Sequence, residues 1–201
     1  MSTTIEHPGV LVVEGKDEEG FFRAMLKHMH VQDVQVLGIG GKTKLTPSLK
    51  ALVLTPTFSR VARLGVIRDA DEDPAAAFQS VCYSLQAAGL AVPALVGQPC
   101  RGTPAVAVLI LPHDGTGALE DICLNSVASD PAIPCVTAFF DCVCPLLGAP
   151  RHIGKAKVQA FLSSRREEGR RLGEAAEAGY WPWDATCFDV VKQFIGFVGA
   201  S

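Results

Sequence analysis

No apolar run in this sequence approaches the length of a membrane span, so no transmembrane helix is expected. The opening residues, MSTTIEHPG, have no basic start and no signal-peptide core, and the expected compartment is the cytoplasm. There is no internal repeat and no low-complexity linker. Seven cysteines are scattered along the chain, and Cys142-Val143-Cys144 is their single close pair. A zinc site needs a second pair or histidines at ligand spacing, and both are missing. The thiols therefore read as small hydrophobes. No G-x-S-x-G elbow and no histidine in a triad setting point to a serine or cysteine nucleophile. Covalent tyrosine chemistry would need Tyr83 or Tyr180, which fall in an expected core helix and an aromatic patch. GIGGKT (38–43) has Val36 where a phosphate-binding P-loop needs glycine, and Thr43 where a dinucleotide fingerprint needs one.

What is present describes a globular α/β chain. At 201 residues, with 48% hydrophobic and 19% charged residues, it can bury one sizeable core. GVLVV (9–13), VQVLGI (34–39), RLGVIRD (63–69) and AVAVLILP (105–112) read as strands, the first and last wholly apolar and so buried on both faces. Between them lie helical patterns: 17 to about 30, a stretch after GGKTKL broken near Pro47, and a helix opened by Pro74 and running through Leu90. GALEDICLNSV follows the fourth strand with helical spacing. Strand, turn and helix four times over predict an open, mostly parallel sheet flanked by helices. Residues 1–130 are expected to form this α/β unit. Residues 131–201 should form a helical extension packed on it, ending in an amphipathic helix at 184–197. The aromatic GYWPW before that helix reads first as core and second as a base-stacking patch.

In such sheets ligands sit beyond the carboxyl ends of the strands. Glu14 ends the first strand, and Asp69 and Asp71 end the third. His113-Asp114 and Glu120-Asp121 follow the fourth, with His113 read as a loop residue. Acids gathered on one sheet edge repel unless cations neutralise them. Hard carboxylate oxygens of this kind suit Mg²⁺ or Mn²⁺. Asp73 is a further possible ligand, or a helix cap before Pro74. Glu120 is preferred to Asp121, because helical spacing puts Leu119, Ile122 and Cys123 on the buried side. The glycine turn at 40–41 could bring backbone N–H groups and Lys42 near the same edge.

VLVVEGKDEEGFF followed by GVIRDADED resembles the TOPRIM domain of topoisomerases, bacterial-type primases and OLD (overcoming lysogenisation defect) nucleases. In that family one strand ends in Glu-Gly and a later one in Asp-x-Asp, here Glu14-Gly15 and Asp69-Ala70-Asp71. The resemblance covers roughly residues 9–125 and implies a Rossmann-like TOPRIM fold. It assigns Glu18 the role of the acid four positions after the first glutamate. The span from LPHDG to GALEDIC is similar to a third acidic element of the nuclease branch, at Glu120 or Asp121. OLD-type nucleases also use a lysine after these motifs, to which Lys155 or Lys157 would correspond. The C-terminal part is similar to small stand-alone TOPRIM proteins without assigned functions. The chain is too short for the ATPase, zinc or DNA-gate modules of the larger relatives.

Residues 151–171 carry seven basic side chains against Glu167 and Glu168, a net +5, whereas residues 1–150 sum to −5 and the remainder to −3. An acidic body beside one basic segment suits a protein holding cations and, next to them, a polyanion. The expectation is a Mg²⁺- or Mn²⁺-dependent protein that cuts nucleic acid phosphodiesters, DNA ahead of RNA, by two-metal phosphoryl transfer. Glu14, Glu18, Asp69, Asp71, Asp73 and Glu120 would hold the ions. Glu14, Asp69, Asp71 and Lys155 would carry the chemistry, and Lys42, Lys157, Arg165, Arg166 and Arg170 would bind the polyanion. Resemblance to the OLD branch implies a separately encoded ATPase as partner. The competing readings are an RNA-maturation nuclease, a non-catalytic metal- and nucleic-acid-binding subunit, and phosphotransfer to a small molecule, which the basic segment disfavours.

Overall fold

The computed structural model describes residues 4–167 and 169–200; Glu168, counted in the basic segment's charge, lies outside them. Four strands, β1 (Gly9–Val13), β2 (Val34–Gly38), β3 (Arg63–Asp69) and β4 (Ala105–Leu111), form one sheet in the order β2-β1-β3-β4. Every pairing is parallel, with Leu11 opposite Gly65 and Asp69 opposite Leu111. All five residues of β1 are buried, which explains its wholly apolar composition. The first helices are α1 (Lys16–His28), α2 (Leu45–Val53) and α3 (Pro74–Ala87). After β4 come α4 (Leu119–Ser126), α5 (Ala132–Leu147), α6 (Ile153–Ser163), α7 (Leu172–Glu177) and α8 (Asp189–Gly199).

Side-chain alternation along the strands divides the interior into two cores. Leu11, Val13, Ile67, Leu109 and Leu111 meet α1 and α4–α8 on one face. Val10, Val12, Leu64, Val66, Val108 and Ile110 meet α2 and α3 on the other. From β1 the chain moves outward to β2 across α1, then doubles back past β1 to β3 and on to β4. Right-handed crossovers require the helices to change face when the direction reverses, and they do. The reversal leaves a crevice at the carboxyl ends of β1 and β3.

Local details depart from the sequence reading. Pro47 sits in the first turn of α2, where no intrahelical N–H is needed, so the helix runs through it. The last helix begins at Asp189, after a short 3₁₀ turn at Thr186–Phe188. Tyr83 lies on α3 but faces solvent, because the buried side of that helix carries Ala77, Val81, Ser84 and Leu85. Cys135 and Cys142 are exposed rather than packed, and all seven thiols are free. In GYWPW, Trp181 is buried, stacks on Phe161 and donates Nε1–H to the Leu172 carbonyl at 3.2 Å. Trp183 packs against Phe21 and Phe188, so the patch is core. Among the described residues no helix is long and apolar enough to cross a membrane.

Candidate functional site at the strand ends

β1 and β3 are neighbours, so their ends deliver Glu14 and Asp69 to the same place, the point where strand order reverses. Both line one small depression, together with Glu18, Arg68 and Leu119. Asp69 Oδ1 accepts the backbone N–H of Leu119 at 3.0 Å, which fixes the start of α4 against the end of β3. That contact sets Glu120, the next residue, among the same acids. Burial pushes the Asp69 carboxyl well above the usual carboxylate range, and the charges of Glu14, Glu120 and Glu18 push it further; only the Leu119 N–H opposes them. Glu14 is raised by burial and by Asp71 and Glu18, against the pull of Arg68 and Lys42. Glu120 is raised by burial and by Glu18 and Asp121, against the pull of Lys155. Glu18, in the first turn of α1, folds its carboxylate back over Gly15, where a Cβ would lie 2.7 Å from Oε2.

Three cations attend these acids. Arg68 Nε lies 3.5 Å from Glu14 Oε1, both atoms buried and without a hydrogen-bond partner, while Arg68 Nη1 donates to Ser80 on α3 at 2.9 Å. Lys42 Nζ donates to Asp71 Oδ2 at 2.9 Å. It is carried by a turn in which Gly40 and Gly41 take φ of +78° and +113°, and Gly41 donates its N–H to the Glu14 carbonyl at 2.7 Å. That N–H is thus spent inside the protein and does not face a ligand. Asp71 itself has φ of +50°, a left-handed conformation that aspartate tolerates. A reciprocal backbone pair with Gly117, at 2.7 and 2.8 Å, holds it there. Lys155, exposed at the start of α6, acts on Glu120.

The structure thus brings together Glu14, Glu18, Asp69, Asp71, Glu120, Lys42 and Lys155. Asp73 has a different job: its Oδ1 accepts the Ala76 N–H at 2.9 Å and caps α3. Asp121 caps α4 by accepting the Ala118 N–H at 2.9 Å. The basic segment is not one surface. Arg165 is held by both oxygens of Asp130 and stacks on Phe161, and Arg170 is engaged by Glu167 and the Tyr180 ring. Arg166 is exposed and Lys157 half-buried. His113 is exposed beside Asp114. Arg68 is the residue that sequence reasoning passed over. Its signal was its place inside IRDAD, one residue before the buried acid.

The donors are hard oxygens, which suit a bound divalent ion, and among the described residues Glu14 Oε1 has no hydrogen-bond donor, only the Arg68 guanidinium beside it at 3.5 Å. As the side chains stand, among the described residues no three His, Cys, Asp or Glu groups converge at ligand spacing. Any ion would have to draw them together.

Fold and site define a parallel α/β protein with a half-buried acid cluster at its topological switch point. The family model described as "Protein of unknown function (DUF3226)" matches residues 8–197, and the chain belongs to that family. No curated protein matches the sequence. Two solved structures of the C-terminal region of the OLD protein of Xanthomonas campestris pv. campestris are similar to it. One is 15% identical, covering 97% of each chain, and the other is 13% identical, covering 97% of this chain and 98% of the other. Both give a TM-score of 0.48.

Proposed function

We propose that this chain is a cytoplasmic, Mg²⁺- or Mn²⁺-dependent nuclease of TOPRIM type that hydrolyses nucleic acid phosphodiesters, DNA before RNA. The observation that carries the reading is the meeting of Glu14 and Asp69 across adjacent strand ends. Burial and mutual repulsion raise both carboxyls there. A half-buried pair of like charges is costly to the fold and marks a place where a cation or a proton can be handled. The Glu-Gly and Asp-x-Asp pattern at the same two strand ends resembles the TOPRIM signature and supports the same conclusion.

In this reading Glu14, Asp69 and Asp71 would hold one ion, and Glu18 with Glu120 a second. When bound, the ions would supply Lewis acidity. Glu14, raised in pKa and open to the depression, is placed to take a proton from the attacking water. Arg68, on the lining of the same depression, holds Glu14 by the charge of its guanidinium. Lys155, near Glu120, stabilises charge on the phosphate or the leaving oxygen. Lys42, Lys157 and Arg166 supply the cationic approach for the backbone phosphates. Arg165 and Arg170 are committed to internal partners and contribute less. A separately encoded ATPase would supply energy coupling.

The test is cleavage of supercoiled plasmid, single-stranded DNA and structured RNA with Mg²⁺ or Mn²⁺, beside a double Asp69→Ala, Asp71→Ala variant. Cutting that the variant loses establishes the nuclease and its substrate. The second reading, a metal-binding partner subunit without turnover, is favoured by the separation of the carboxylates and by the lysine that occupies Asp71. It predicts metal binding lost in the variant and no cutting by either protein.

A further inference from the structure

Helix α5 is the most apolar helix of the molecule, yet only Val136 and Phe140 along its 16 residues are fully buried. Ala132, Ile133 and Cys144 are half-buried against the same core, while a second stripe of the helix faces outward. Cys135 and Cys142 are exposed, Phe139 is 54% exposed and Leu146 76% exposed. These four are spaced four, three and four residues apart, the seam spacing of a packed helix pair. The residues flanking the seam, Val136 and Val143 on one side and Ala138 and Pro145 on the other, are uncharged and mostly small. The helix has one charged residue, Asp141, which does not share the seam's spacing.

The sizes along the seam run small, large, small, large. Laid antiparallel against itself about a two-fold axis between Phe139 and Cys142, the seam forms four layers. Cys135 faces Leu146, Phe139 faces Cys142, and the two remaining layers repeat these by symmetry. Each layer matches one large side chain with one small one, as well-filled interfaces require. A parallel pairing would set Phe139 on Phe139 and cysteine on cysteine, with clashes and voids in turn. A seam without charge offers nothing to select a charged partner, whereas an antiparallel copy is complementary in shape at every layer.

We propose that α5 is a homodimer interface, in which two copies of this chain pair antiparallel through Cys135, Phe139, Cys142 and Leu146. The helix is about 24 Å long. A single helix pair of this length is a small interface, so the dimer is concentration-dependent.

The test is sedimentation velocity of the full chain under reducing conditions, from low micromolar to several hundred micromolar. The wild type is expected to shift from monomer to dimer. Phe139→Glu and Cys142→Lys, both at exposed positions, are expected to stay monomeric, with circular dichroism confirming the fold. Mixing the two variants restores a heterodimer, because the carboxylate introduced at position 139 of one chain then faces the ammonium introduced at position 142 of the other. A wild type that stays monomeric throughout overturns the proposal and leaves the face to another protein or a lipid surface. A dimer that both variants preserve, or one that the mixture fails to restore, overturns the antiparallel seam.

Discussion

Lys42 Nζ and Asp71 Oδ2 are 2.9 Å apart, and the backbone on each side of that contact is fixed independently of it. Gly41 is tied to Glu14 and Asp71 to Gly117 by main-chain hydrogen bonds. The lysine side chain is half exposed. The ammonium can therefore leave without moving either chain segment.

That arrangement makes Lys42 a competitor for any divalent ion at Asp71. Lys42→Ala should leave Tm nearly unchanged, since a pair this exposed contributes about 0–1 kcal/mol. Mg²⁺ or Mn²⁺ affinity, measured by titration calorimetry, should rise by up to roughly fivefold, the equivalent of that energy. Nucleic acid affinity should fall, with a shallower salt dependence. Weaker metal binding in the variant would show that the lysine supports the ion rather than competing with it.

Asp69 gives the clearest pH signature. Its folded pKa is raised above the unfolded value, so its contribution to stability is fully present below the unfolded pKa, near 4, and is lost as pH rises through the folded pKa. Glu14 and Glu120 act in the same direction. Asp130 is lowered by its hydrogen bonds from Arg165, so its contribution is lost only under stronger acid and does not offset the others in this window. In chelator, the wild type should melt higher in mild acid than at neutral pH. Asp69→Asn keeps an acceptor for the Leu119 N–H and removes the repulsion. It should stabilise the metal-free protein at neutral pH by on the order of 1 kcal/mol, roughly 2–4 °C in Tm, and flatten the pH profile. The same variant should lose divalent-ion binding and cleavage. A variant less stable than wild type at neutral pH would contradict the repulsion.

Glu120 and Asp121 are adjacent acids with separable roles. Asp121→Ala removes the acceptor of the Ala118 N–H and should cost about 1 kcal/mol of stability, with metal affinity largely kept. Glu120→Gln should do the reverse, with Tm held or raised and ion binding weakened. Thermal melts with and without Mg²⁺ separate the two, and identical behaviour would show that the acids act as one group.

Arg165 and Arg166 are neighbours that should part company as well. Arg165→Ala breaks the bidentate pair with Asp130 and the stack on Phe161, at a cost on the order of 1 kcal/mol. Arg166→Ala breaks no such contact among the described residues and should leave Tm alone while weakening nucleic acid binding. Filter binding at two salt concentrations checks this, and an Arg165 variant with the larger salt effect would reverse the assignment.

The elements that could be read from sequence were those whose burial leaves no choice of residue. GVLVV and AVAVLIL are covered on both faces, and their composition says so. Glu14 and Asp69 were visible because a carboxylate at the end of an apolar strand has a known place in a parallel sheet. Arg68 was not. It points to the α3 side of the sheet and Asp69 to the α4 side, a distinction that depends on strand pairing. The basic segment was legible as charge but not as partners, because Asp130, which holds Arg165, lies 35 residues away. Nor could spacing alone show that Tyr83 and Cys142 sit outside the core, since an apolar helix reads alike with one covered face or two.

Helix α8 lies across β1 and β3, with Val191, Phe194, Ile195 and Val198 in the same core as the strand residues Leu11 and Ile67. These are the strands that carry Glu14 and Asp69, and α8 is synthesised more than 60 residues after Glu120. While a ribosome is still making this chain, the acids emerge before the helix that completes one face of their sheet. A stop codon ahead of Asp189 would remove α8 from that face and leave Glu14, Glu18, Asp69, Asp71 and Glu120 in place.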